Sequence, residues 1–363
     1  MHELNLDRAE ELYGPEWVEA AAWYREHSLD VVTDPDLVLQ HLDHPAVAGK
    51  IEAEFTADTR RRARMFEALS YGDAGFLLTT PGPSLSGVLI AELGDDEQRL
   101  HFREYVERNR CRTFFAVTEP GRGSDAANLE CRYQQGALTG EKMLFGNGAV
   151  APIGTVLARA CEGPLGTVAL LLTPELVGSD AVSGQVLGMF AMHGAQLSRL
   201  SFRQLRVPES LMLGRHLKAA ERGLMGMMKT FHRFRPGVAS MAIGHAQAMT
   251  DYARRHFAQA SGMLDRFDHM LAQARALNLA AAAEVDADPL RPGCVSLAKQ
   301  RATAAAEQIA TELAHRLPVT ALVAHPWLAK SLADVFAFEF MEGITPVQLS
   351  NVYHAFLRHE VEV

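Results

Sequence analysis

Apolar side chains recur at spacings of three and four along Ala9 to Trp23 and again along Arg60 to Leu69. That period belongs to helices that bury one face. Pro81-Gly-Pro breaks the run and the helical pattern resumes after it, so residues 1–115 are expected to form an N-terminal helical domain. The pattern changes from about 116 to 215, where short β-branched or apolar runs (Gly154 to Ala160, Thr167 to Leu172, Leu200 to Val207) are separated by glycines, prolines and polar residues. Such runs predict strands, and an antiparallel β-domain is expected here. Helical periodicity returns in 216–363, with small residues dense in Ala239-Ser-Met-Ala-Ile-Gly-His-Ala-Gln-Ala, which lets helices approach closely and predicts a C-terminal helical bundle. Asp286-Ala-Asp-Pro-Leu-Arg-Pro-Gly reads as a connection between two of its helices. The fold class is therefore α+β and mostly helical.

A chain of 363 residues, 48% of them hydrophobic, can bury a large core. Its net charge of -9 and pI near 5.9 oppose nucleic-acid binding, which needs a basic face, and give no support for docking on an anionic membrane. Cys111, Cys131, Cys161 and Cys294 lie far apart without metal-ligand spacing, so they read as reduced thiols and no metal centre is expected. The acidic start Met1-His-Glu-Leu-Asn-Leu-Asp lacks the form of a signal peptide, and no 18-residue apolar stretch is present. A cytoplasmic protein without a membrane span is the expectation.

The strongest local signal is Phe115-Ala-Val-Thr-Glu-Pro-Gly-Arg-Gly-Ser-Asp. Freed backbone amides in such a turn, with the hydroxyls of Thr118 and Ser124, can hold the polar edge of a planar cofactor and part of a phosphate chain. A plain β-turn satisfies the same string. Thr118-Glu-Pro-Gly-x-Gly-Ser-Asp resembles the signature with which acyl-CoA dehydrogenases open their β-domain. Gly140-Glu-Lys-Met-Leu-Phe-Gly-Asn, Phe202, Val207-Pro and Leu213-Gly match that family's later β-domain segments. The resemblance extends from about Ala68 to Leu357 and is weakest between about 255 and 335.

The resemblance implies FAD as cofactor, with Phe115, Val117, Thr118 and Ser124 in contact with the flavin and Leu144, Phe145 and Gly146 against its isoalloxazine. Leu144 and Gly146 stand where the family has an aromatic ring and a hydroxyl, which leaves mostly backbone contacts. Phe340-Met-Glu-Gly-Ile-Thr-Pro-Val-Gln resembles the aromatic-Glu-Gly-Thr-x-x-x-x-Gln stretch, and this would place Glu342 over the substrate's α-carbon with Gly343 beside it. A carboxylate that removes a weakly acidic C–H must be desolvated, and Phe338, Phe340 and Met341 suit that need. Taken alone, Glu342 is more often a solvated helix-end carboxylate, and the match in register with the β-domain signature is what reverses that reading. Arg235 aligns with an arginine the family keeps near the base; without the resemblance it reads as an exposed arginine at a helix start before Pro236. His232 occupies a position where some members hold an acidic pantetheine contact, and a structural histidine is the plainer reading.

Implied partners are an acyl thioester of coenzyme A or of an acyl carrier protein, an electron-accepting flavoprotein or oxygen, and a further copy or a related subunit. The family binds the ADP half of FAD with an Arg-x-x-Phe-Gly turn and a Gln-x-x-Gly-Gly-x-Gly segment from a neighbouring subunit, and both are degraded here. Only Gly262 matches the first, and no glycine lies between Gly293 and Gly343; Ile344 replaces a Thr or Ser. Three readings stay open: FAD held by other diphosphate contacts, with Arg254, Arg255 or Arg266 taking over the charge, a different partner completing each site, or flavin lost. The functions to weigh are α,β-dehydrogenation of a thioester, with the α-hydrogen removed as a proton by Glu342 and the β-hydrogen as hydride, a flavin oxygenase or oxidase, and a non-catalytic partner subunit.

Overall fold

A computed structural model describes residues 3–360 except 122, 124–127 and 258–260. Seven helices come first: α1 (Leu6–Tyr13), α2 (Val18–Glu26), α3 (Asp30–Thr33), α4 (Pro45–Thr56), α5 (Thr59–Thr79), α6 (Ser84–Leu93) and α7 (Asp96–Asn109). α7 begins with a capping box, in which the Asp95 carboxylate accepts from the Gln98 amide while the Gln98 side chain accepts from that of Asp95. α5 bends at Asp73, which leaves the helical region and caps the second half of the helix by accepting from the Phe76 amide at 2.8 Å. Lys330 joins this bend to the C-terminal half by bridging Asp73 and Asp334, both at 2.7 Å.

The sheet comes next, with β1 (Thr113–Ala116), β2 (Arg132–Gln134), β3 (Ala137–Phe145), β4 (Ile153–Arg159), β5 (Thr167–Leu172), then the short helix α8 (Pro174–Val177), β6 (Val182–Val186), β7 (Ser198–Arg206) and β8 (Met212–Leu213). The order is β6-β7-β3-β2-β4-β5-β8, and β1 pairs with β4. Most pairings are antiparallel as expected. Two were not legible: β1 and β2 each run parallel to β4, which makes the sheet mixed. A short run of sequence carries no mark of its neighbour's direction, so only the connections decide this. Gly140 permits the close pass of β3 over Cys131, because a Cβ there would lie 2.7 Å from the Cys131 Cα.

The last third is helical: α9 (Leu224–His256), α10 (Ser261–Ala287), α11 (Gly293–Arg316), α12 (Ala321–Ala324), α13 (Pro326–Asp334), a 3-10 turn (Val335–Phe340) and α14 (Thr345–Leu357). α9 is the central helix, buried from Phe234 to Ala253. Its small residues work as the sequence suggested: at Gly244 the backbone of α9 passes so near α5 that a Cβ would meet the Glu67 carbonyl oxygen at 2.1 Å. One apolar cluster unites the N- and C-terminal helices with the inner face of the sheet, and a second fills the sheet's other face. Among the described residues no single helix is long and apolar enough to cross a membrane.

Candidate active site

Glu342 lies in the short turn between the 3-10 turn and α14. Its φ of +49° and Gly343's φ of +104° place both in the left-handed half of backbone space. For a glutamate that conformation is strained, and it persists because the surroundings hold it. Three buried side chains from three helices do so. Arg235 on α9 donates from Nε to the Glu342 carbonyl at 2.9 Å. Gln348 on α14 donates from Nε2 to the same carbonyl at 3.1 Å and to that of Gly343 at 2.9 Å. Lys299 on α11 donates from Nζ to the carbonyls of Glu339 at 2.8 Å and Gly343 at 2.9 Å. Glu339 caps α14, accepting from the Thr345 amide at 2.6 Å and its hydroxyl at 2.8 Å.

With its backbone fixed, the Glu342 carboxylate keeps Oε2 out of contact with solvent and without a hydrogen-bond partner among the described residues. Burial pushes this carboxyl up to about 7, opposed by the nearby charges of Lys299 and Arg235. Arg235 is buried too, and its Nη1 has no partner among the described residues. Burial lowers its guanidinium to about 10, so it remains charged at neutral pH, helped by Glu342. The reading of Arg235 as an exposed helix-start residue is thereby excluded: α9 runs through Pro236, and Arg235 sits well inside it. His232 is buried, with Nδ1 2.7 Å from the Pro289 carbonyl. A carbonyl only accepts, so Nδ1 carries the proton and Nε2 is a bare acceptor, buried and unpartnered among the described residues. Burial and then the charge of Arg235 lower this ring to about 4, which keeps it neutral.

The apolar neighbours divide. Phe338 is fully buried and Met341 packs on the core, whereas Phe340 is 75% exposed and cannot desolvate the base. In a 3-10 turn, positions three apart share a side, which puts Val335 and Phe338 both inward and Phe340 off that side.

On the sheet side, Phe115 and Val117 are buried and Thr118 half-buried. The Thr118 carbonyl accepts from the Met143 amide at 2.9 Å, which laces the two glycine-containing segments together. A register shift between Met143 and Phe145 throws Leu144 out of the ladder at φ +59°, half-exposed. Phe145 packs inward beside Phe114, and Gly146 is half-buried. Asn147 comes next, also at positive φ, with an Oδ1 that is buried and unpartnered among the described residues. Ser124 lies outside the described residues. Phe231 joins the two sides: its ring meets Phe115 edge-on at 5.6 Å and lies 5.8 Å beneath the Arg235 guanidinium.

Glu119 and Lys142, present in the two motifs without an assigned role, form a fully buried ion pair at 2.8 Å. Lys142 also donates to the Val117 carbonyl at 2.8 Å, and the Glu119 carboxylate accepts from the amides of Glu130 at 2.5 Å and Cys131 at 2.9 Å. The pair closes the loop that carries the glycines. Lys299 was missed altogether, although a signal existed. It stands on the buried face of α11 among Val295, Ala298, Ala302 and Ala306, on a helical stripe where a charge needs an explanation.

These features define a helix–sheet–helix protein with a desolvated carboxylate at the junction of its central helix and its last turn. The sequence model for the acyl-CoA dehydrogenase C-terminal domain matches residues 221–357. Residue by residue, the chain is 29% identical over 201 residues to a probable medium-chain specific acyl-CoA dehydrogenase 2, mitochondrial, of Caenorhabditis briggsae, covering 53% of this chain and 48% of that one. It is 28% identical over 211 residues to the 3-(aryl)acrylate reductase of Clostridium sporogenes (strain ATCC 15579), covering 56% and 54%. The matches thus span about half the length of these relatives. The structure of butyryl-CoA dehydrogenase from Megasphaera elsdenii superposes with a TM-score of 0.80 at 23% identity over 97% of each chain, a likeness of fold. Residues 221–357 are thus similar to the acyl-CoA dehydrogenase C-terminal domain, and the fold is similar to that of butyryl-CoA dehydrogenase over nearly the whole chain.

Proposed function

We propose that the protein binds FAD and removes the α- and β-hydrogens of an acyl thioester, with Glu342 as the base that takes the α-proton. The observation that carries this reading is the carboxylate itself: held by its backbone, desolvated, unpartnered at Oε2 among the described residues and raised to about 7, it suits a general base for a weak carbon acid near neutral pH. The charge of Arg235 orients and moderates it. Substrate contacts are assigned to Ser124, His232, Arg235 and Gly343, with His232 Nε2 available to accept a hydrogen bond from the thiol-carrier arm of coenzyme A or of an acyl carrier protein.

The residues present fit the ring end of a flavin. Phe115 and Val117 supply an apolar wall, Thr118 a hydroxyl at its edge, and the backbone of Leu144, Phe145 and Gly146 with the Oδ1 of Asn147 a distorted segment with free polar capacity, the Phe145 ring itself packing into the sheet's other face. Bound there, FAD would supply the acceptor for the β-hydrogen. The diphosphate end is not matched by 317–324, which lacks glycine and exposes Val319 and Val323. A second chain is therefore assigned to complete the site. α14 supports this, because Leu349, Tyr353, Phe356 and Leu357 stay exposed at positions i, i+4, i+7 and i+8, an apolar stripe along one face of the helix. A homo-oligomer or a heteromer with a related subunit satisfies it. Electrons then leave to an electron-accepting flavoprotein or to oxygen, and the cytoplasm is the proposed location.

The test is to purify the protein, record its visible spectrum, and mix it without oxygen with acyl-CoA thioesters of graded chain length. Flavin bands bleached by at least one thioester support the reading. Failure to take up FAD, alone or with a related subunit, overturns it. Rapid oxygen consumption after bleaching would assign an oxidase or oxygenase instead.

A further inference from the structure

The Glu342 turn is held by one cation that the proposed chemistry does not use. Lys299 has no exposed side-chain surface, yet its nearest carboxylate oxygen, Oε2 of Glu339, is 4.0 Å away. Its hydrogen bonds go instead to two backbone carbonyls, those of Glu339 and Gly343, three residues before the base and one after it. A buried ammonium normally takes a close carboxylate partner, since isolation in a low dielectric is costly. Here that partner is engaged in capping α14, and the ammonium shares its field between Glu339 and Glu342.

We propose that Lys299 is a positioning residue for the base, fixing the turn on both sides of Glu342 and supplying, with Arg235, the positive charge that lets the buried carboxylate ionise. The proposal rests on the assignment of Glu342 as base. Two cations serve a purpose that one does not. Arg235 holds the Glu342 carbonyl from the α9 side, and Lys299 holds the flanking carbonyls from the α11 side. The carboxylate thus feels both charges while its Oε2 bonds to neither and remains free for a substrate. Burial lowers the Lys299 ammonium to about 8, with Glu339 and then Glu342 acting against that fall. The charged groups facing the turn are Arg235 from α9, Lys299 and Glu307 from α11, and Glu339 from the 3-10 turn. α14 presents neutral Gln348, and α13's Lys330 and Asp334 are bound to each other and to Asp73.

The experiment reads the titration of the Glu342 carboxyl directly, by infrared difference spectra of the purified full chain, its band identified by loss in Glu342→Gln. In Lys299→Met the midpoint should move up by about one pH unit, the size expected for removing one nearby opposite charge. Lys299→Arg should return it toward the wild-type value. Gln348→Met, which loosens the same turn without changing charge, should move it much less. An unshifted midpoint in Lys299→Met, or an equal shift in Gln348→Met, overturns the proposal. Should Lys299→Met not fold, the reciprocal measurement decides: the Lys299 Nζ resonance should titrate at lower pH in Glu342→Gln than in wild type, and an unchanged midpoint overturns it. Neither readout requires turnover. Persistence of thioester-driven flavin bleaching in Glu342→Gln would instead refute the base assignment.

Discussion

Arg235 grips the backbone of Glu342 and not its carboxylate: Nε donates to the carbonyl at 2.9 Å while Nη1 and the glutamate's Oε2 both stay unpartnered among the described residues. A bidentate pair between these side chains would be more stable but would consume the lone pairs a base needs. The observed contact fixes the turn and leaves Oε2 of the carboxylate without a partner among the described residues.

Glu342→Gln keeps shape and removes the proton acceptor. Thioester-driven flavin reduction, measured by stopped flow, should fall by several orders of magnitude, given that acid–base catalysis alone contributes about 10²–10⁴-fold. Stability should move the other way. The folded carboxyl titrates near 7 against 4.5 for a free one, so between those values the folded state binds more protons and wild-type stability falls as pH rises. The variant escapes that loss, and its melting temperature should exceed wild type at about pH 8 by a margin that vanishes near pH 4.5.

Arg235→Gln removes one of the two charges that oppose the effect of burial on the Glu342 carboxyl, the proposed base. The rate of flavin reduction in wild type should rise with pH through about 7 and level off above it. In the variant the rise should lie higher by about 1–3 pH units. A profile unchanged in position would show that Arg235 acts through substrate binding alone.

The central helix, the strand runs and the turn at Glu342 stood out because each rests on local pattern: the helical period, the strand period, and a motif in register with another far away. Arg235 was ambiguous because Pro236 reads as a helix start, whereas α9 continues through it and tolerates the loss of the N–H that would have met the His232 carbonyl. Phe340 was misread because a nearby aromatic in sequence is inward only if the local period places it so. Lys299 lies far from Glu342 in sequence, and only packing of α11 on the turn joins them. The parallel pairing of β1 with β4 is likewise a property of connections, not of either run.

The Glu119–Lys142 pair should stabilise the loop more than it assists chemistry. Lys142→Met leaves a buried carboxylate that still accepts from two backbone amides. Glu119→Leu leaves an ammonium with one carbonyl and two amides unmet. Each should be destabilising by about 3–5 kcal/mol, with Glu119→Leu the worse, and the double variant should cost less than the sum. Denaturant titration of wild type and the three variants reads this directly.

Thr118→Val and Ser124→Ala each remove one hydroxyl assigned to the flavin, at about 1–3 kcal/mol if its partner is buried. Flavin content after gel filtration should drop before the melting temperature changes. Full occupancy in the double variant would make the turn structural.

The final prediction concerns the diphosphate. Of the basic residues near the degraded Arg-x-x-Phe-Gly turn, Arg254 is already bound to Asp251, Asp265 and Asp268, at 3.2, 3.4 and 2.8 Å, and Arg266 pairs with Glu312. Arg255 is exposed and enters none of these pairs. The three arginines considered for the diphosphate charge therefore narrow to one, too little for a group that carries two negative charges. On the proposed function the remainder comes from a second chain, for which the exposed apolar stripe of Leu349, Tyr353, Phe356 and Leu357 offers a face. Tyr353→Glu with Phe356→Glu should place unpaired carboxylates in that interface and shift mass in solution toward the monomer. Flavin content should fall with it, although neither residue belongs to the proposed ring site. If a related subunit supplies the missing glycines, mixing the two chains should raise FAD affinity sharply in wild type and not in the double variant. A monomer that binds one FAD tightly by itself would refute both the assembly and the shared site.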